Sequence, residues 1–210
     1  MVQPASAPFG RTRATTDAAV AAVALIALLP LMAAIALVVK LESRGPAIFG
    51  QRRLGRYGEP FTVLKFRTMA QGAPSEPHRR YVAQLTELGT ASDGGLQKLT
   101  SDPRVTRVGA ILRKLSLDEL PQLINVVRGE MSLVGPRPAL EYELHYYRPE
   151  HFERFLVRPG LTGLWQVSGR ARLGFLEMLD LDVEYVRRRS LRLDLRILWL
   201  TPRALIGETA

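Results

Sequence analysis

The 210-residue sequence contains no cysteine, which excludes disulfides, thiolate metal sites and cysteine nucleophiles and says nothing about compartment. Lysine is scarce. Lys40, Lys65, Lys98 and Lys114 are the four lysines among 29 basic residues, against 20 acidic ones and a formal charge of +9. Length leaves room for one domain and not for two of ordinary size. With 47% hydrophobic and 23% charged residues, the composition is not that of a disordered chain, a collagen-like repeat or a polytopic membrane protein. Charge is also missing locally: every position from Ala18 to Val39 is uncharged. What remains is one apolar segment attached to a basic body.

Arginine supplies the charge excess. Its planar fork matches phosphate oxygens in a bidentate way, which suits phosphorylated ligands, nucleic acid or anionic lipid. Composition does not choose among them, and a GC-rich genome produces the same excess with no functional meaning.

The uncharged segment, at a rise of about 1.5 Å per residue, is roughly 33 Å of helix, enough to cross a bilayer core of about 30 Å. Pro30 lies in its middle, where it removes a backbone hydrogen bond. Both flanks are basic: Arg11 and Arg13 before, Lys40, Arg44, Arg52 and Arg53 after. Such symmetry fits two ends on the cytoplasmic face and a helix that turns back at the proline. A plain spanning helix and a secretory signal cut near Ala34-Ile35-Ala36 are the competing readings.

Residues 47–69 read as a β-hairpin, with β-prone runs at Ile48-Phe49 and Phe61-Thr62-Val63-Leu64 punctuated by Gly50, Gly55, Gly58 and Pro60. Alternation along Leu64-Lys65-Phe66-Arg67 places Lys65 and Arg67 on one face, a candidate phosphate seat or simply a solvated strand face. Residues 70–98, rich in glycine and proline, read as a surface insertion, and His78 within it is given no role.

From Asp102 to Pro138 the sequence is denser in signals. Val105, Val108, Ile111, Leu112 and Leu115 recur at helical spacing. Ser116 and Glu119 then have capping-box spacing, which predicts a second helix running on through Val127. Asp118 and Glu119 are first-turn acids on that reading. The same geometry presents amide groups to phosphate oxygens, with Arg113 and Lys114 to neutralise a diphosphate and Asp118 to attack phosphorus. Glu119 is left as base, acid or metal partner. Gly135-Pro136-Arg137-Pro138 is a rigid turn displaying Arg137 between two prolines. Residues 158–170 form a glycine-rich loop with arginines at both ends and Trp165 inside.

Five ordered blocks, Lys65 to Met69, Asp102 to Gly109, Leu112 to Gln122, Gly129 to Pro138 and Arg158 to Arg170, together resemble the bacterial sugar transferase family, the monotopic phosphoglycosyl transferases. The resemblance runs from about Asp17 to Gly207. It implies transfer of a sugar 1-phosphate from a UDP-sugar to polyprenyl (undecaprenyl) phosphate with magnesium, releasing UMP and opening the assembly of exopolysaccharide or O-antigen-type glycans. On this chain Asp118 is similar to the family's nucleophile, which also meets the metal, and Glu119 to its partner acid. Arg113 and Arg137 look like its phosphate-binding arginines, and Lys65 and Arg67 are added as candidate substrate contacts. The resemblance further implies a domain facing the cytoplasm at the inner membrane, contacts with membrane lipid and no nucleic-acid partner. Gln51-Arg52-Arg53-Leu54-Gly55 lacks the proline that many members carry after the arginine, and the chain resembles the minimal catalytic form.

The expected fold is α+β: a small, mostly helical domain (41–210) with a short hairpin, a re-entrant membrane helix over 17–40, a tail over 1–16 and amphipathic interfacial helices. Leu176, Leu179, Leu181, Val183 and Val186 precede Arg187-Arg188-Arg189, and in residues 191–200 apolar residues alternate with Arg192, Asp194 and Arg196; both segments suit helices in the headgroup plane or helices packed on the core. The rival class is a membrane-anchored basic protein that binds anionic lipid or nucleic acid without chemistry.

Overall fold

The computed structural model describes residues 8–70, 104–169 and 173–206. The stretch 71–98, His78 within it, and Arg170 lie outside the described residues. The fold is α+β and mostly helical. Helix α1 spans Pro8–Glu42. The hairpin follows, with β1 at Ile48–Leu54 paired antiparallel to β2 at Pro60–Phe66. Next come α2 (Arg107–Lys114), a 3-10 turn at Leu117–Glu119 and α3 (Gln122–Val127). Strands β3 (Ser132–Val134) and β4 (Gly160–Thr162) pair in parallel, and between them run two 3-10 segments, Glu141–Tyr146 and Pro149–Leu156. Helices α4 (Leu164–Ser168), α5 (Phe175–Arg188) and α6 (Leu191–Ile206) close the chain.

Helix α1 starts at Pro8, not at Asp17, so residues expected in the tail belong to it. It also runs without interruption through Pro30. The early start has a polar cause. Arg13 donates to the hydroxyl of Tyr185 (2.6 Å) and the Val134 carbonyl (3.2 Å) and pairs with Asp194 at 2.6 Å, which fastens the first turns to α5, α6 and β3. At the other end, Arg67 Nη2 donates to the carbonyls of Val39 (3.2 Å) and Ser43 (2.7 Å), and Nη1 to that of Pro46 (2.6 Å). A cation on the last carbonyls also complements the helix dipole.

Between these two fastenings one stripe of α1 forms the core. Met32, Ile35 and Val39 pack with Ala47, Phe66 and Leu112, while Ala21, Leu25 and Leu28 meet Val63, Leu123, Val126 and Met131. Spacings of three and four residues put these side chains on one face, where each large one contributes about 1.5–3 kcal/mol. The other faces stay apolar and bare: Val23, Ile26, Leu29, Leu37 and Leu41 are 59–78% exposed.

The two C-terminal segments separate. In α5, Phe175, Met178, Leu179 and Val183 are buried, so this helix packs on the core. In α6 only one side does: Ile197 is buried, whereas Leu191, Leu195, Leu198 and Trp199 are exposed. Those four recur at i, i+4, i+7 and i+8, an apolar stripe facing away from the protein.

Replacing Arg67 by methionine removes its donors to the Ser43 and Pro46 carbonyls just past α1 and one of two donors to the Val39 carbonyl, which costs about 1–3 kcal/mol. Denaturant unfolding in detergent should register that loss; an unchanged unfolding curve would return Arg67 to the role of a phosphate contact.

Candidate active site

Strand β2 brings the first residues of the site together. Its outer edge is held by Asn125 of α3, which is fully buried. The Asn125 side chain accepts from the Leu64 amide (3.0 Å) and donates to the Thr62 carbonyl (2.7 Å) and Glu130 (2.6 Å). This brings the strand against the Leu117–Glu119 turn. Lys65, half-buried, then pairs with Glu119 at 2.8 Å.

Beyond β2 the chain crosses the start of α2: Thr106 N donates to the Thr68 carbonyl and Ala70 N to that of Arg104. The Thr106 hydroxyl caps α2 by accepting from Gly109 N at 2.9 Å. A Cβ on Gly109 would stand 2.2 Å from the Thr68 carbonyl oxygen, so glycine sets how closely helix and strand approach. That approach places Arg113 Nε 2.8 Å from the Thr68 hydroxyl.

The expected capping box does not form. Ser116 adopts the left-handed region (φ 54°) and makes no side-chain cap. One 3-10 turn follows, and Pro121, which has no N–H to continue a ladder, separates it from α3. Asp118 and Glu119 therefore sit on a tight turn between two helices, not at a helix N-terminus, and the argument from first-turn amides falls away. The turn instead places Asp118 at 8% exposure beside the Lys65–Glu119 pair.

Arg67 is placed elsewhere. The alternation that puts it on the Lys65 face ends with β2 at Phe66, and Arg67 turns to the carbonyls of α1.

Arg137 enters from the other side. Its guanidinium lies 6.0 Å from the Trp165 ring centre, so the Pro-Arg-Pro turn meets the segment expected as one glycine-rich loop, which instead folds into β4 and α4. A Cβ on Gly160 would come within 2.0 Å of Gly135 N; the loop touches the turn backbone to backbone. Arg53 links the two halves. Burial pushes it down to about 10, aided by the like charge of Arg137 and opposed by Glu143, Tyr142 and Glu119, so it lies within electrostatic reach of both Arg137 and Glu119. Burial also pushes the Asp182 carboxyl up to about 6 against Arg154 and Arg137. Among the described residues no group of three or more His, Cys, Asp or Glu side chains is placed to hold a metal.

Two acids, Asp118 and Glu119, thus stand with Lys65 and Arg113 near one turn, and Arg137 stands with Trp165 near the other. A family model described as bacterial sugar transferase matches residues 10–208. The chain belongs to that family. It is a transferase. Its relatives include the exopolysaccharide production protein ExoY of Rhizobium meliloti (strain 1021), 46% identical over 80% of this chain and 73% of that protein. The undecaprenyl-phosphate galactose phosphotransferase of Salmonella typhimurium is 41% identical over 77% of the chain and 34% of that protein. The undecaprenyl-phosphate glucose phosphotransferase of Komagataeibacter xylinus is 41% identical over 80% and 30%. The chain thus spans about three-quarters of ExoY and about a third of the other two.

Within this sugar transferase, sequence reasoning passes over Asn125, Arg53 and Arg154, whose positions look unremarkable until distant strands and turns meet them. A polar residue inside the apolar run Leu123 to Val127 was the available signal for Asn125.

Ser116 offers a direct test. Glycine takes the left-handed conformation without penalty, whereas a β-branched residue there costs about 1–3 kcal/mol. Ser116→Gly should retain transfer activity and Ser116→Val should lose most of it; equal activity in the two would show that the turn does not set Asp118.

Proposed function

We propose that this transferase moves a sugar 1-phosphate from a UDP-sugar onto polyprenyl phosphate, with Asp118 as covalent nucleophile. The observation that carries the reading is the placement of Asp118 on a tight turn beside the Lys65–Glu119 pair and below α2, the helix that carries Arg113. Relatives named for undecaprenyl-phosphate galactose and glucose phosphotransfer support the acceptor; because they name two sugars, they do not choose one here.

A carboxylate oxygen of Asp118 attacks the β-phosphorus of the donor. The bond from that phosphorus to the bridging oxygen breaks, and UMP leaves with the oxygen. An oxygen of polyprenyl phosphate then attacks the phosphorus of the aspartyl intermediate, and the Asp118 carboxylate departs, giving polyprenyl diphosphate-sugar. Arg113 and Arg137 serve as contacts for charge on the transferring phosphoryl group. Lys65 pairs with Glu119 next to the nucleophile. Magnesium fits this donor set in one mode, with a carboxylate such as Asp118 joined by substrate phosphate oxygens and water, since Mg²⁺ commonly uses one or two carboxylates plus substrate phosphates. When bound it would offset the charge of the diphosphate.

Helix α1 anchors the enzyme in the inner membrane with its domain on the cytoplasmic side. Its bare apolar faces and the stripe on α6 supply contacts for lipid. Arg13 and Val39, near opposite ends of α1, are both fastened to the same folded domain. This supports an anchor that enters and leaves by one face over a span that would put polar Tyr185 and Asp194 across the bilayer.

Purified enzyme in detergent with magnesium and undecaprenyl phosphate should release UMP from at least one member of a UDP-sugar panel, and Asp118→Asn should reduce release by at least about a thousandfold, a loss of roughly 4 kcal/mol in transition-state stabilisation. Full activity in that variant would exclude Asp118 as nucleophile. Absence of UMP release with every UDP-sugar of the panel would favour a membrane-anchored binding protein for anionic lipid or nucleic acid. For topology, tags at both termini should be reachable only from the cytoplasm; an N-terminal tag reached from the periplasm would mean that α1 spans.

A further inference from the structure

The Pro136-Arg137-Pro138 turn is held in an unusual way. Four successive carbonyls each receive a separate donor: Pro136 from Gly160 N (2.8 Å), Arg137 from Arg154 Nη2 (2.6 Å), Pro138 from Arg53 Nη1 (3.0 Å) and Ala139 from Leu54 N (2.8 Å). The two central donors are guanidinium groups of residues only 4% and 7% exposed. Arg53 arrives from the hairpin and also meets Gln51 Oε1 at 2.7 Å. Arg154 arrives from the Pro149–Leu156 segment, pairs with buried Asp182 at 2.6 Å and donates to the Tyr147 hydroxyl.

Burying guanidinium groups is expensive, and well-packed apolar residues often do as well or better for stability alone. Both groups are spent on the carbonyls of residues 137 and 138. The prolines flanking Arg137 already fix φ on either side, so what the clamps add is the orientation of the peptide planes from which the Arg137 side chain departs. That side chain borders a cavity lined also by Glu143, Trp165, Met178 and the Arg154–Asp182 pair.

We infer that Arg154, with its partner Asp182, and Arg53 are positioning residues that act through Arg137 by fixing the turn that presents it. The inference rests on Arg137 contacting substrate phosphate, as proposed above. Neither clamp touches substrate on this reading. A displacement of about 1 Å at a positioned group is enough to lower a rate about a hundredfold, so clamps of this kind matter without reaching the reacting atoms.

A double-mutant cycle separates positioning from general support. kcat/KM for the UDP-sugar is measured by UMP release for wild type, Arg154→Lys, Arg53→Lys, Arg137→Ala and the two doubles. Each lysine variant should lower kcat/KM by about tenfold or more in the wild-type background and by less than about twofold in the Arg137→Ala background. Equal losses in both backgrounds would overturn the inference, as would wild-type activity in the lysine variants. If Arg154→Lys fails to fold, Tyr147→Phe, which removes one hydroxyl from the Arg154 clamp, carries the same comparison with the same two outcomes. A wild-type enzyme that releases no UMP from any sugar overturns the proposed function and this role together, a result distinct from an active enzyme with additive variants.

Discussion

Helix α1 has to satisfy two environments at once. One stripe of its surface is the inner wall of the domain, and the remaining faces carry large apolar side chains that no part of the described protein covers. A helix apolar all round is stable only when fully buried or in lipid. Here protein supplies one side and a bilayer the rest, so hydrophobic burial alone would leave its depth and rotation loosely set. Polar fastenings at its two ends remove that freedom: the Arg13–Tyr185–Asp194 cluster at one, Arg67 on the terminal carbonyls at the other. The hairpin, α2 and α3 all pack on the stripe between them, and the turn with Asp118 hangs from those elements.

The consequence for the site is that its parts share a frame with the membrane helix. Val134, whose carbonyl takes both Arg13 and Tyr185, lies three residues before Arg137. Phe66, packed against α1, is next to Lys65. Short elements joined by close backbone contacts at Gly109 and at Gly135–Gly160 leave little slack between anchor and chemistry. Such stiffness holds the Leu117–Glu119 turn at a set distance from α1.

Local pattern carried a good part of this fold. Two β-prone runs separated by glycines gave the hairpin, and helical spacing of Val108, Ile111, Leu112 and Leu115 gave α2, because period and turn chemistry act within a few residues. The Ser116–Glu119 spacing misled because capping depends on one backbone angle: Ser116 at φ 54° turns the chain before a helix can start. Arg67 misled because strand alternation ends when the strand does, at Phe66. Leucines in α5 and α6 look alike in sequence, and only tertiary packing decides that one helix is core and the other keeps an outward stripe. Motif order is what singled out Asp118 and Glu119 as candidates, since nothing in their own few residues distinguishes a nucleophile from a first-turn carboxylate.

The shortage of lysine also acquires a physical sense. Arg13, Arg53, Arg67 and Arg154 each bind a backbone carbonyl together with at least one further acceptor, and a planar fork with five donors can do this while a compact ammonium cannot hold the same directions. Lys65 is used differently, as a point charge against one carboxylate oxygen of Glu119. Four of the arginines in a set that at first resembled a nucleic-acid surface are therefore internal construction, in which guanidinium groups terminate a helix, tie it to its neighbours and hold a turn. Charge turned inward in this way contributes little to an external field. Steering of anionic substrates then falls to the arginines and lysines still exposed, such as Lys114, Arg188, Arg192 and Arg196, the last two next to the outward stripe of α6.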